Sequence, residues 1–122
     1  MAVAKGCETR WFGRSASDYA LCAVALDGDV TRASYRFEGR EISAEIQSLG
    51  AHFAMNAIGA LAAVTALGAD LDLALAGLAG WSPVKGRGAR FTVDLPDGTV
   101  TVLDDAYNAN PTSVTAALTV LA

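Results

Sequence analysis

Residues 103–113 read Leu103-Asp104-Asp105-Ala106-Tyr107-Asn108-Ala109-Asn110-Pro111-Thr112-Ser113, which places a strand end, an acidic pair, a polar loop and a helix start in that order. The β-branched run Thr99-Val100-Thr101-Val102 leads into this stretch, so Asp104 and Asp105 fall where a strand stops. Asn110 is a preferred N-cap type, and Pro111 then takes the first helical position, where its missing N–H costs nothing. In α/β sheets ligands gather outside the carboxyl ends of strands, so this succession marks a ligand-facing edge. Asp and Asn acting only as turn formers explain the same residues equally well at this level.

Upstream, residues 91–95 and 99–103, joined by Pro96-Asp97-Gly98, predict a hairpin. Residues 18–26, 31–37 and 41–47 predict three strands separated by Asp27-Gly28-Asp29 and Glu38-Gly39-Arg40, turns short enough to require antiparallel neighbours. Ser34 and Arg36 alternate with Tyr35 and Phe37, and Glu41, Ser43 and Glu45 with Ile42, Ala44 and Ile46, so one face of that sheet is wet. Trp11-Phe12-Gly13 reads as the tail of a further strand. After Gly50 the period changes: residues 51–67 and 71–79 predict helices ending at Gly68 and near Gly80, residues 81–88 a connector, and Pro111 onward a last helix.

The 122 residues suit one domain, and 52% hydrophobic against 18% charged residues exclude disorder as the main state. A net charge of −4 argues against a nucleic-acid footprint, which needs clustered positive charge. Cys7 and Cys22 have no metal spacing, and with His52 as the lone histidine they read as reduced thiols. Residues 1–13 have no apolar core of signal-peptide length, and residues 51–67 are too short and polar for a membrane span, so a cytoplasmic location is expected.

His52 and Asn56 lie four apart and share a helix face that continues through Ala60 and Ala63. Small residues beneath an amide make a shelf for a planar group, with a donor and an acceptor for a base edge. A solvent-facing histidine and a loop-satisfied asparagine are the plainer alternative. Arg87, flanked by Gly86 and Gly88, is suited to approach a phosphate, although a solvent-facing loop arginine has the same pattern. Alternation sends Asp104 and Asp105 to opposite sides, so at most one is expected to meet a ligand such as a ribose or magnesium while the other caps or braces the turn. No G-x-x-x-x-G-K-[ST] or G-x-G-x-x-G phosphate motif is present, and no nucleophile signature accompanies His52.

Taken together, His52-x-x-x-Asn56, Gly86-Arg87 and Asp104-Asp105-Ala106-Tyr107-Asn108-Ala109-Asn110-Pro111 resemble the second half of the central domain of a Mur ligase, weakly over residues 11–47 and strongly over 50–121. The resemblance implies an α/β fold, a partial central domain with a parallel sheet portion, helices and a small antiparallel sheet. It implies that residues 1–122 are a piece of the ATP-binding domain. The phosphate-loop half, with its magnesium ligands and modified lysine, would precede the piece and a C-terminal domain would follow it. It assigns adenine to Asn56 with His52 nearby, ATP phosphates to Arg87 and ribose to Asp105. Tyr107, Asn108 and Asn110 would line the same edge, facing nucleotide or incoming dipeptide. ATP and Mg2+ would serve the full-length protein.

The Tyr-Asn-Ala-Asn-Pro form is most similar to the members that add D-alanyl-D-alanine to UDP-N-acetylmuramoyl tripeptide in peptidoglycan synthesis. Their mechanism phosphorylates the tripeptide carboxylate, and the dipeptide amine then attacks the acyl phosphate. Ala106 stands where serine is commoner in the family, a mild departure because the hydroxyl is not assigned to ATP. On this reading the fragment alone is expected to be inactive, to bind ATP weakly and to self-associate through exposed apolar surface. Two other readings stand beside it: another ligase of this architecture, such as a folylpolyglutamate-type enzyme, or a non-catalytic binding domain.

Overall fold

The computed structural model describes residues 6–107 and 109–121. A four-stranded sheet in the order β1-β2-β3-β4 is built from β1 (Phe12–Gly13), β2 (Tyr19–Asp27), β3 (Val30–Phe37) and β4 (Arg40–Ile46). It is followed by α1 (Ala51–Ala66) and α2 (Leu71–Ala79), a hairpin of β5 (Ala89–Leu95) and β6 (Gly98–Asp104), and α3 (Pro111–Leu121). The mixed α/β class expected from the sequence holds. Its parallel portion is confined to Phe12 and Gly13 against Tyr19 and Ala20, and every other described pairing is antiparallel. The cause is local: strands joined by two-residue turns pair antiparallel.

Register follows the alternation in the sequence. Thr31, Ala33, Tyr35 and Phe37 of β3 point inward and are buried, opposite Ile46, Ala44, Ile42 and Arg40. Outward, Arg32 faces Glu45 and bonds it at 3.0 Å. The β3–β4 turn takes positive φ at both Glu38 (48°) and Gly39 (83°), the twist that a two-residue hairpin needs. At Glu38 that conformation is anchored, because its N–H donates to the Asp18 carbonyl at 2.8 Å and its carboxylate accepts from the Tyr19 hydroxyl at 3.0 Å.

The core lies between this sheet and α1. Ala54, Ala57, Ile58 and Leu61 repeat at helical spacing and meet Leu21, Tyr35, Ile42 and Ile46. Tyr35 crosses the interface: its hydroxyl donates to the Ala54 carbonyl at 2.9 Å, and burial pushes its pKa up to about 12. Leu71, Ala74, Leu75 and Leu78 of α2 pack on the same cluster from the side. The remaining elements are unlike this core. No described residue of β5, β6 or α3 is buried, and Phe91, Val93, Leu95 and Val100 of the hairpin are exposed, as are Val114, Leu118 and Leu121 of α3. No described helix is long and apolar enough to cross a membrane.

Thr31 fixes where α1 begins. Its fully buried hydroxyl donates to the Ser48 carbonyl at 2.7 Å and accepts the Gly50 N–H at 3.0 Å, locking the β4–α1 loop onto β3. Thr31→Val keeps the shape and strips both bonds, leaving two backbone groups unpaired. It should lower the unfolding free energy by about 1–3 kcal/mol in denaturant titrations. An unchanged midpoint would remove the clamp from the account.

Candidate functional site

The site grows from the N-terminal turns of α1. Gly50, with φ of 141°, occupies the N-cap, and a Cβ there would sit 2.5 Å from Cε1 of His52, so glycine leaves room for the imidazole. The His52 ring lies 4.2 Å from that of Phe53, and Phe53 lies 5.7 Å from Trp81 at a tilt of 53°. One turn on, Asn56 is exposed beside Ala57 and Ala60. Phe53, Asn56, Ala57, Ala60, Trp81, Val84 and Arg87 line a cleft of about 410 Å³ together with Ile46 and Leu78. It is an apolar slot with one carboxamide and one guanidinium, matching the chemistry of a planar heterocycle that carries an anionic tail.

Arg87 reaches the slot because Asp104 holds the connector. The Asp104 carboxylate accepts the Gly86 N–H at 3.0 Å and the Ala106 N–H at 3.3 Å, and its carbonyl accepts the Gly88 N–H at 2.9 Å. The Tyr107 N–H returns to the Gly86 carbonyl at 2.9 Å. Gly86 is buried with φ of 81°, and a Cβ there would lie 3.2 Å from that of Tyr107, so a side chain is disfavoured on both counts. Asp104 is thus the bracing carboxylate of the acidic pair. Asp105 is half-buried and makes no hydrogen bond or ion pair among the described residues. Desolvation pulls the His52 pKa below its ordinary value, and the Asp105 charge opposes that pull, which puts the loop after β6 within electrostatic reach of the start of α1.

The structure therefore brings Asn56 and Arg87 into one cleft. His52 and Asp105 are outside its lining, and Tyr107 stacks on Arg87. Asn110 caps α3: its Oδ1 accepts the Ser113 N–H at 2.9 Å while its own N–H donates to Ser113 Oγ at 3.1 Å. One acceptor site of that oxygen is thereby committed to the helix. Asn108 lies outside the described residues. Phe53 and Trp81 are cleft residues absent from the sequence-derived set, although Phe53 sits three residues before Asn56, close to the same helix face. No group of three or more His, Cys, Asp or Glu able to hold a metal exists among the described residues. A separate recess of about 470 Å³ between the β2–β3 turn and β5, crossed by the Arg90–Asp29 ion pair at 2.5 Å, contains none of the candidate residues.

Comparison with known proteins identifies the class. UDP-N-acetylmuramate–L-alanine ligase of Mycolicibacterium gilvum (strain PYR-GCK) is 44% identical over 88% of this chain and 23% of its own length. UDP-N-acetylmuramoyl-tripeptide–D-alanyl-D-alanine ligase of Bacillus subtilis (strain 168) is 34% identical over 94% of this chain and 24% of its own. A crystal structure of MurF from Acinetobacter baumannii superposes with a TM-score of 0.77 at 30% identity, covering 90% of this chain and 23% of that one. MurF from Thermotoga maritima, solved in complex with ADP, shares the fold at a TM-score of 0.72 and 22% identity, over 90% of this chain and 25% of that one. No family model matches.

Over about nine tenths of its length this chain has the sequence and fold of Mur ligases. Ligases that add L-alanine and ligases that add D-alanyl-D-alanine both appear among its relatives, and the chain spans about a quarter of their length.

The lone histidine gives a direct test of the loop's position. A folded-state pKa below 6.5 means that His52 contributes to stability fully above that pH, and the contribution is lost as pH falls through the folded value. Its NMR titration midpoint should lie below 6.5, and Asp105→Asn should lower it further by removing the opposing charge. A midpoint unmoved by Asp105→Asn would place Asp105 away from α1.

Proposed function

We propose that this chain forms the adenosine side of the ATP site in the central domain of a cytoplasmic Mur ligase, one that joins D-alanyl-D-alanine to UDP-N-acetylmuramoyl tripeptide in peptidoglycan synthesis. The observation that carries this reading is the apolar cleft that Asn56 and Arg87 both line. Asn56 can pair with a base edge through its amide while Phe53, Ala60 and Trp81 exclude water from the ring faces. Arg87 supplies a fixed positive charge for the phosphates, and Asp105, free of the bracing role, can accept from ribose hydroxyls. Bound ATP would supply the phosphoryl group that activates a carboxylate for amide formation. The ADP-bound relative supports the choice of nucleotide. On this reading Asn56, Arg87 and Asp105 bind and orient the nucleotide, and phosphoryl transfer depends largely on such positioning.

The dipeptide assignment rests on the Tyr107-Asn108-Ala109-Asn110-Pro111 motif, and the 34% relative acts on that substrate. The 44% identity to an L-alanine-adding ligase favours a second reading, in which UDP-N-acetylmuramate and L-alanine are the substrates. ADP release by the intact ligase containing this sequence, measured with each substrate pair, separates the two. In that enzyme Asn56→Ala should raise the KM for ATP roughly tenfold with little change in kcat, the signature of lost uniform binding. An unchanged KM would take Asn56 out of the site. The chain by itself is expected to release no ADP and to bind ATP more weakly than micromolar.

The hairpin's apolar face should also drive self-association, since Phe91, Val93 and Val100 lie open on paired strands. Light scattering should report a mass above that of a monomer that rises with concentration, and Val93→Lys with Val100→Lys should restore the monomer. A monomer throughout would contradict this.

A further inference from the structure

We propose that Tyr107 is a positioning residue for Arg87 rather than a ligand contact, holding its guanidinium at the rim of the cleft to receive the anionic tail of a nucleotide. The inference rests on the adenosine reading of the cleft and adds a role that the nucleotide itself does not define. The Arg87 Cζ lies 3.9 Å from the centre of the Tyr107 ring, well inside cation–π range. The ring is 70% exposed, so the stack is not a by-product of burial.

Its register is set by the backbone on both sides. The Tyr107 N–H is tied to the Gly86 carbonyl, and the Gly86 N–H is tied to Asp104, so the residue before Arg87 is locked to the residue bearing the ring. No carboxylate pairs with Arg87 among the described residues, as with Arg14 and Arg36, whereas Arg10, Arg32, Arg40 and Arg90 have acidic partners; Arg87 alone of the unpaired three stacks on a ring. An arginine kept from carboxylates and stacked on a neutral ring retains its full charge and its planar fork for an incoming anion. Long side chains lose rotamer freedom on binding, and a ring that has already restricted Arg87 reduces that loss.

The test compares adenosine with ADP as probes of the full chain, by NMR shift titration at millimolar ligand. Tyr107→Leu should weaken ADP binding roughly two- to fivefold, the scale of an exposed cation–π contact, and leave adenosine unchanged. Tyr107→Phe should match the parent, because the ring and not the hydroxyl does the positioning. In an Arg87→Ala background Tyr107→Leu should have no further effect. Without ligand, the Arg87 Nε–H resonance should show a ring-current shift that survives Tyr107→Phe and vanishes in Tyr107→Leu. Equal weakening of adenosine and ADP by Tyr107→Leu would make Tyr107 a nucleoside contact and overturn the proposal while keeping the cleft. Failure of Tyr107→Phe to match the parent, or an ADP affinity indifferent to Tyr107→Leu, would also overturn it. Absence of any adenosine binding would overturn both the cleft reading and the role built on it.

Discussion

The Thr31 hydroxyl, bonded to the Ser48 carbonyl and the Gly50 N–H inside the sheet–helix interface, sets the phase of α1, and the phase of α1 sets everything above it. Each residue of an α-helix turns the chain by about 100°, so a start displaced by one position would carry a different face onto the sheet. With α1 beginning at Ala51, the small residues Ala54 and Ala57 and the larger Ile58 and Leu61 pack inward. Phe53 and Asn56 are left to face the connector, where Trp81 and Arg87 complete the cleft. Tyr35 reinforces the same placement from β3 through its bond to Ala54.

A second constraint joins the two halves of the site. Asp104 uses its carboxylate and its carbonyl to hold Gly86, Gly88 and Ala106, so the end of β6 and the Gly86-Arg87-Gly88 turn behave as one piece. Charge-assisted bonds to backbone N–H groups are among the stronger ones a protein makes. They free Asp105 on the opposite side of the chain, and they bring Tyr107 over Arg87. A carboxylate adjacent to a candidate ligand residue thus serves the site without touching the ligand.

Much of this was legible in the residues. The turns at Gly28 and Gly39, the switch of period after Gly50 and the cap at Asn110 locate the elements to within a residue or two, because each depends on local chemistry. Asn56 and Arg87 were legible as candidates by type and flanking glycines, but their meeting in one cleft depends on long-range packing that spacing does not encode. Alternation says that one of Asp104 and Asp105 braces the turn, and only the path of the connector decides that it is Asp104. Phe53 and Trp81 are not legible as cleft residues, because an aromatic residue in a helix or a connector fits a core position equally well. Parallel pairing among the described strands is limited to β1 against β2, and the strands joined by tight turns pair antiparallel.

The central proposal is that the slot between α1 and the connector receives an adenine ring. Intermolecular nuclear Overhauser effects between adenosine and this chain test it most directly. The base protons H2 and H8 should show cross-peaks to the Phe53 and Trp81 rings and the Ala60 methyl group. Cross-peaks confined to the recess lined by Phe91 and Thr101, or none to the α1 face at saturating adenosine, would contradict it.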